Sequence, residues 1–153
     1  KKITQGYQSF SSDNKREIFN IDKLKFIPLI CYEIIYSGKI NPNKKYYDFI
    51  LNISEDGWFG KSIGPRQHFD HSIFRAIESG KYILRSSNNG IAGIINPIGV
   101  VEQNVDFGES GYVDLVEMKK MQPTIFSYYG NKIFGFLSLL YILLILSFNR
   151  IKK

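Results

Sequence analysis

The sequence predicts an α/β domain followed by a membrane-spanning helix. Short apolar runs of strand length alternate with a segment of helical period, and Gly, Asn and Pro clusters separate them. Strands interleaved with helices indicate a layered sheet-and-helix domain. A run of 16 residues without a charge, 133–148, then precedes a basic tail.

Taken in order, residues 25–30 read as a strand that ends at Cys31. Residues 32–39 form a short helix or turn, stopped near Asn41-Pro42 because a residue before proline avoids helical dihedrals. Residues 48–53, Asp-Phe-Ile-Leu-Asn-Ile, read as a buried strand. Residues 54–64 are a polar, glycine-bearing loop with the only tryptophan, Trp58. Residues 65–79 are a helix with Phe69, Ile73, Ala76 and Ile77 on one face and Gly80 placed to end it. A strand over 82–85 leads to the turn signal Asn88-Asn89-Gly90. Strands follow over 91–95 and, after Pro97-Ile98-Gly99, over 100–103. Residues 111–116 read as a last strand before a linker, 118–130.

As a helix, residues 133–148 reach roughly 24 Å at ~1.5 Å per residue, against a bilayer core of about 30 Å. Tyr128 and Tyr129 suit one interface, and Arg150, Lys152 and Lys153 can snorkel to the other. The run is apolar on every face, unlike a helix that buries one stripe. The expected organisation is therefore a domain over 1–127, a transmembrane helix over 131–149 and a cytoplasmic tail over 150–153. The positive-inside rule places residues 1–127 on the far side of the membrane.

The chain of 153 residues suffices for one core, and its single cysteine allows no intrachain disulfide. The net charge of +6 is spread along the chain, not gathered among aromatics, so no nucleic-acid partner is expected. His68 and His71 lie three apart on the predicted helix, but no further ligands accompany them, so no metal is expected, nor any cofactor. Arg75 and Glu78 are spaced for an ion pair, and Asn88 and Asn89 suit a turn.

Cys31 ends an apolar run and Glu33 follows it. A strand-to-turn elbow gives a nucleophile rigid support behind and open space in front. A lone cysteine in that position also serves as a small buried hydrophobe. Glu33 equally suits the start of a helix, and Trp58 and Phe59 equally suit packing or a pocket wall.

Four segments, read in order, carry a resemblance. They are Ile-Cys-Tyr-Glu at 30–33, LNISEDGWFG at 51–60, SIGPRQH at 62–68 leading into FRAIE at 74–78, and LRSSNNG at 84–90 before NPIG at 96–99. In this order and spacing, with an apolar span after them, they resemble the C-terminal part of the bacterial apolipoprotein N-acyltransferases, a membrane-bound branch of the nitrilase (carbon–nitrogen hydrolase) superfamily. The resemblance implies an αββα sandwich and a Cys–Glu–Lys triad. Cys31 would be the nucleophile, Tyr32 would offer its backbone N–H to the oxyanion, and Glu33 would support the site. Trp58, Phe59 and His68 would border the acyl pocket. The implied partners are a phospholipid acyl donor, an apolipoprotein acceptor and the membrane. The implied location is the bacterial inner membrane, with the catalytic domain periplasmic and the C-terminus cytoplasmic.

One departure follows. In this family the base glutamate and the lysine precede the cysteine, and Lys23, Lys25 and Glu33 do not match their motifs. The chain is expected to be inactive alone, its missing groups residing on an N-terminal portion that is either continuous with it or a separate chain. The alternatives are a nitrilase-type amidase using the same cysteine and an inactive remnant.

Overall fold

The computed structural model describes residues 16–41 and 44–151. Its centre is one six-stranded mixed sheet in the order β1-β2-β3-β4-β5-β6. The strands are β1 (Phe19–Ile21), β2 (Leu24–Ile30), β3 (Phe49–Glu55), β4 (Tyr82–Asn88), β5 (Ala92–Ile95) and β6 (Val101–Val105). β2, β3 and β4 are parallel, while β1, β5 and β6 join antiparallel to their neighbours. The α/β class expected from the sequence is present. β1 escaped notice because three exposed residues carry no alternation. The second sheet of a sandwich does not occur among the described residues.

Alternation along the parallel strands builds the sheet in rows. Ile27, Ile50, Ile83 and Ile95 stand side by side, and each is at most 1% exposed. Two residues further along, on the same face, comes the row Leu29, Asn52, Arg85. The next step pairs Ser54 with Ser87. Side chains repeat with period two on a strand, so one face changes from apolar to polar toward the C-terminal ends of β2, β3 and β4.

Helix α1 (Gly64–Ser79) covers this face. Pro at its start suits the first turn, and Gly80 ends it at φ +65°, donating its N–H to the Ala76 carbonyl. Phe69 and Ala76 pack onto the isoleucine row. Arg75 pairs with Glu78 at 2.6 Å and donates to the Ile35 carbonyl at 2.8 Å, so the expected ion pair also ties the helix to the turn after β2.

The opposite face carries Phe26, Phe49, Tyr82 and Ile94, with Val113, Leu115 and Met118 laid against them. The strand expected over 111–116 does not form. Asp114 exchanges backbone hydrogen bonds with the side chain of Gln103, at 2.9 and 3.3 Å, in place of a neighbouring strand. β4 also runs on to Asn88, into the expected turn, and the reversal falls at Asn89, which has φ +52°.

The linker ends in helix α2 (Ile125–Tyr129), capped by the Thr124 side chain, and α3 (Lys132–Ile151) follows. The helix expected over 131–149 thus exists. From Phe134 to Phe148 every large apolar side chain is exposed. Among the described residues, however, no helix is long and apolar enough to cross a membrane. Lys132 at one end and Arg150 at the other bound the uncharged stretch of α3.

Candidate active site

β2 delivers Cys31 to a one-turn 3₁₀ helix, Cys31–Ile35. Cys31 holds φ +49°, a left-handed conformation that a non-glycine residue adopts only when its surroundings enforce it. The side chain is half-buried. Glu33 turns back and accepts the Ile30 N–H at 2.7 Å, and Arg16 lies 3.6 Å from its other oxygen. Glu33 therefore fastens the elbow from its outer side.

The inner side is held by a buried polar cluster. Asn52 donates to the Leu29 carbonyl at 3.0 Å and to the Cys31 carbonyl at 3.4 Å. His68 Nε2 lies 3.3 Å from the same Cys31 carbonyl, and its Nδ1 lies 2.8 Å from Asp56 Oδ1. Ser54 donates to Asp56 Oδ1 at 2.7 Å, and its Oγ lies 3.7 Å from the Cys31 sulfur. Arg85 donates to Asp56 Oδ2 at 2.8 Å, to the Ile91 carbonyl at 3.1 Å and to Asn52 Oδ1. Asn52 and Asp56 are wholly buried, and His68 and Arg85 are 2% and 3% exposed.

The charges in this cluster are matched. Burial pushes the Asp56 carboxyl up, but hydrogen bonds from His68 and Ser54 and the Arg85 charge outweigh it and hold Asp56 well below the usual carboxylate range. Burial lowers Arg85, and Asp56 opposes that shift. Asp56 is thus a fixed anion. It orients donors and is a poor proton acceptor.

The aromatic residues form the outer rim. The Tyr32 ring lies 5.1 Å from His68 and 6.1 Å from Phe59, and Phe59 meets His68 edge-on at 5.7 Å. Trp58 projects into solvent, 66% exposed. His68 is buried behind the elbow. Its two nitrogens are occupied by Asp56 and the Cys31 carbonyl, which makes it a brace. The structure brings Cys31, Tyr32, Phe59 and His68 together and leaves Trp58 apart from them. Among the described residues no group of His, Cys, Asp and Glu is arranged to hold a metal ion.

Sequence reasoning missed Asn52, Ser54, Asp56 and Arg85 as site residues. The signal was the period of β3: Ile50, Asn52, Ser54 and Asp56 share the face of Cys31, and polar residues at buried positions of a strand need a structural or chemical partner. Gly90 completes the cluster, because a side chain there would collide with the Asp56 carboxylate and Ser87.

Residues 6–122 match the family model for carbon-nitrogen hydrolase. The chain is 42% identical over 132 residues to an apolipoprotein N-acyltransferase of Rickettsia bellii (strain RML369-C), covering 84% of this chain and 26% of that protein. It is 40% identical over 148 residues to the protein of the same name from Rickettsia prowazekii (strain Madrid E), covering 95% and 29%. The chain thus spans little more than a quarter of the length of these relatives. Its fold resembles that of a CN-hydrolase superfamily protein of Xanthomonas campestris that has an arsenic adduct in its active site, with a TM-score of 0.53 and 13% identity over 66% of this chain and 43% of that one. The family match across most of the sequence and the elbow at Cys31 lead to one assignment: the chain belongs to the carbon-nitrogen hydrolase family.

Proposed function

We propose that this chain is the cysteine-bearing part of an enzyme that transfers a fatty acyl group from a membrane phospholipid to the N-terminal amine of a diacylglyceryl-cysteine apolipoprotein. The observation that carries the proposal is the strained elbow at Cys31, which holds the only thiol of the chain half-open above a buried, charge-matched cluster. A structural cysteine has no need of that support. The name of the Rickettsia relatives, apolipoprotein N-acyltransferase, supports N-acyl transfer to an apolipoprotein, and the phospholipid donor is part of this proposal.

In this reading the Cys31 sulfur attacks the ester carbonyl of the phospholipid, and the alkoxide of the lysophospholipid leaves with a proton. The amine of the acceptor then attacks the thioester, forms an amide and returns the thiol. A thioester suits the exchange because an amine opens it readily. The Tyr32 N–H faces the developing oxyanion, Glu33 holds the elbow, and Phe59 with Trp58 borders the acyl chain. The general base and the oxyanion lysine come from outside this chain, since no position in it matches their motifs, and the chain alone does not turn over. α3 lies in the bilayer, with residues 1–127 on the periplasmic face of the inner membrane and residues 150–153 in the cytoplasm. The exposed apolar surface of α3 supports this placement.

The test uses membranes that carry this chain together with its upstream portion, supplied with a phospholipid labelled in its acyl chains. Label is expected on Cys31 as a hydroxylamine-sensitive adduct, absent in Cys31→Ser. Absence of label from both proteins would reject the thioester route.

A further inference from the structure

At the opposite end of the sheet from Cys31 lies a cleft of about 110 Å³ beside α2. Lys44, Lys45 and Lys81 line it together with Tyr46, Tyr47 and Tyr128. Lys81 is 7% exposed and makes no carboxylate ion pair among the described residues. Its ammonium lies over the rings of Tyr46 and Tyr47, 5.2 and 5.5 Å from their centroids. Burial lowers its pKa, with Asp48 opposing. Asp48, the nearby carboxylate, is otherwise engaged: it accepts from the Tyr46 hydroxyl at 2.6 Å and the Lys25 N–H at 2.9 Å, and Lys120 lies 3.5 Å away.

Asn41 and Lys45, of which Lys45 also lines the cleft, are tied to each other. The Asn41 side chain accepts the Lys45 N–H at 3.2 Å and donates to the Lys45 carbonyl at 2.6 Å. Lys44 sits over the ring of Tyr129, the last residue of α2, at 5.5 Å. Three lysines therefore line one recess, and the buried one, Lys81, makes no carboxylate ion pair among the described residues. A buried cation is costly unless a counter-charge meets it. The lining holds three lysines and no carboxylate, so it suits an incoming anion.

We propose that this cleft binds a phosphate oxyanion, either as the headgroup of an anionic phospholipid or as free phosphate. The lipid alternative rests on the placement of α3 in a bilayer, because α2 then holds the cleft at headgroup depth.

The experiment measures the thermal midpoint of the chain in neutral detergent micelles. Short-chain phosphatidylglycerol, short-chain phosphatidylcholine and inorganic phosphate are titrated separately. Phosphatidylglycerol is expected to raise the midpoint saturably, with half-saturation moved about tenfold higher in Lys81→Met. The double variant Lys44→Gln/Lys45→Gln changes only exposed side chains and tests the same site if Lys81→Met does not fold. Stabilisation by phosphatidylglycerol alone identifies a lipid headgroup, and equal stabilisation by inorganic phosphate identifies the phosphate group itself. Equal effects of phosphatidylcholine and phosphatidylglycerol, or a response that ignores the lysine substitutions, would overturn the proposal. Resistance of the chain to alkaline extraction from vesicles reads the placement of α3 separately.

Discussion

The hydroxyl oxygen of Ser54 lies 3.7 Å from the sulfur of Cys31 and 2.7 Å from Asp56 Oδ1. A hydroxyl has one hydrogen and two acceptor positions. With the thiol protonated, Ser54 donates to Asp56 and can accept from S–H. With the thiolate present, the hydroxyl can turn its hydrogen onto sulfur, and Asp56 keeps the donors from His68 and Arg85.

Ser54→Ala should therefore disfavour the thiolate. Alkylation of the chain by iodoacetamide reports Cys31 alone, because no other cysteine competes. At neutral pH the rate is expected to fall about three- to tenfold, the scale of one weak charge-assisted hydrogen bond. Ser54→Thr should restore it. An unchanged rate in Ser54→Ala would remove Ser54 from the site.

Asp56→Asn leaves Arg85 buried without its counter-charge. A loss of about 3–5 kcal/mol is expected by urea unfolding, as for other broken buried pairs. Adding Arg85→Met should recover part of that loss, so the double variant should be more stable than the sum of the singles predicts.

The same carboxylate gives the fold an acid limit. The folded pKa of Asp56 is depressed, so its contribution is complete above the unfolded value of ~3.9 and declines as pH falls through that value toward the lower folded one. Urea midpoints should drop between about pH 4 and pH 2. The Asp56 share of that slope should vanish in Asp56→Asn. A wild-type slope retained in that variant would assign the acid limit to other groups.

Gly80 ends α1 at φ +65°, and a Cβ there would stand 2.9 Å from the Gln122 carbonyl. Gly80→Ala should cost about 1–2 kcal/mol from the left-handed backbone alone, with the close contact adding to it. Gly60 has φ +55° and open space around it. Gly60→Ala should show the backbone cost only, and a comparison of the two thermal midpoints separates the terms.

The local rules of the chain were legible in its residues. Apolar runs gave β2, β3 and β5, helical spacing with Gly80 gave α1, and a lone thiol at the end of a strand marked Cys31. Each depends on neighbours in sequence, where period and turn chemistry act. The segment 111–116 misled because an alternating pattern also suits an extended stretch that lies on a sheet without joining it. In the fold Val113 and Leu115 lie on the sheet face and the side chain of Gln103 takes up the Asp114 backbone groups.

The sequence by itself determined the α/β class, the family resemblance and the position of Cys31 at the end of a strand. The tertiary structure alone decided what stands behind that cysteine. Asn52, Ser54, Asp56, His68 and Arg85 lie up to 54 positions from Cys31 and come together because three parallel strands share one register. It also decided that His68 braces the elbow, since burial and a hydrogen-bond partner are properties of the folded chain and not of any one segment.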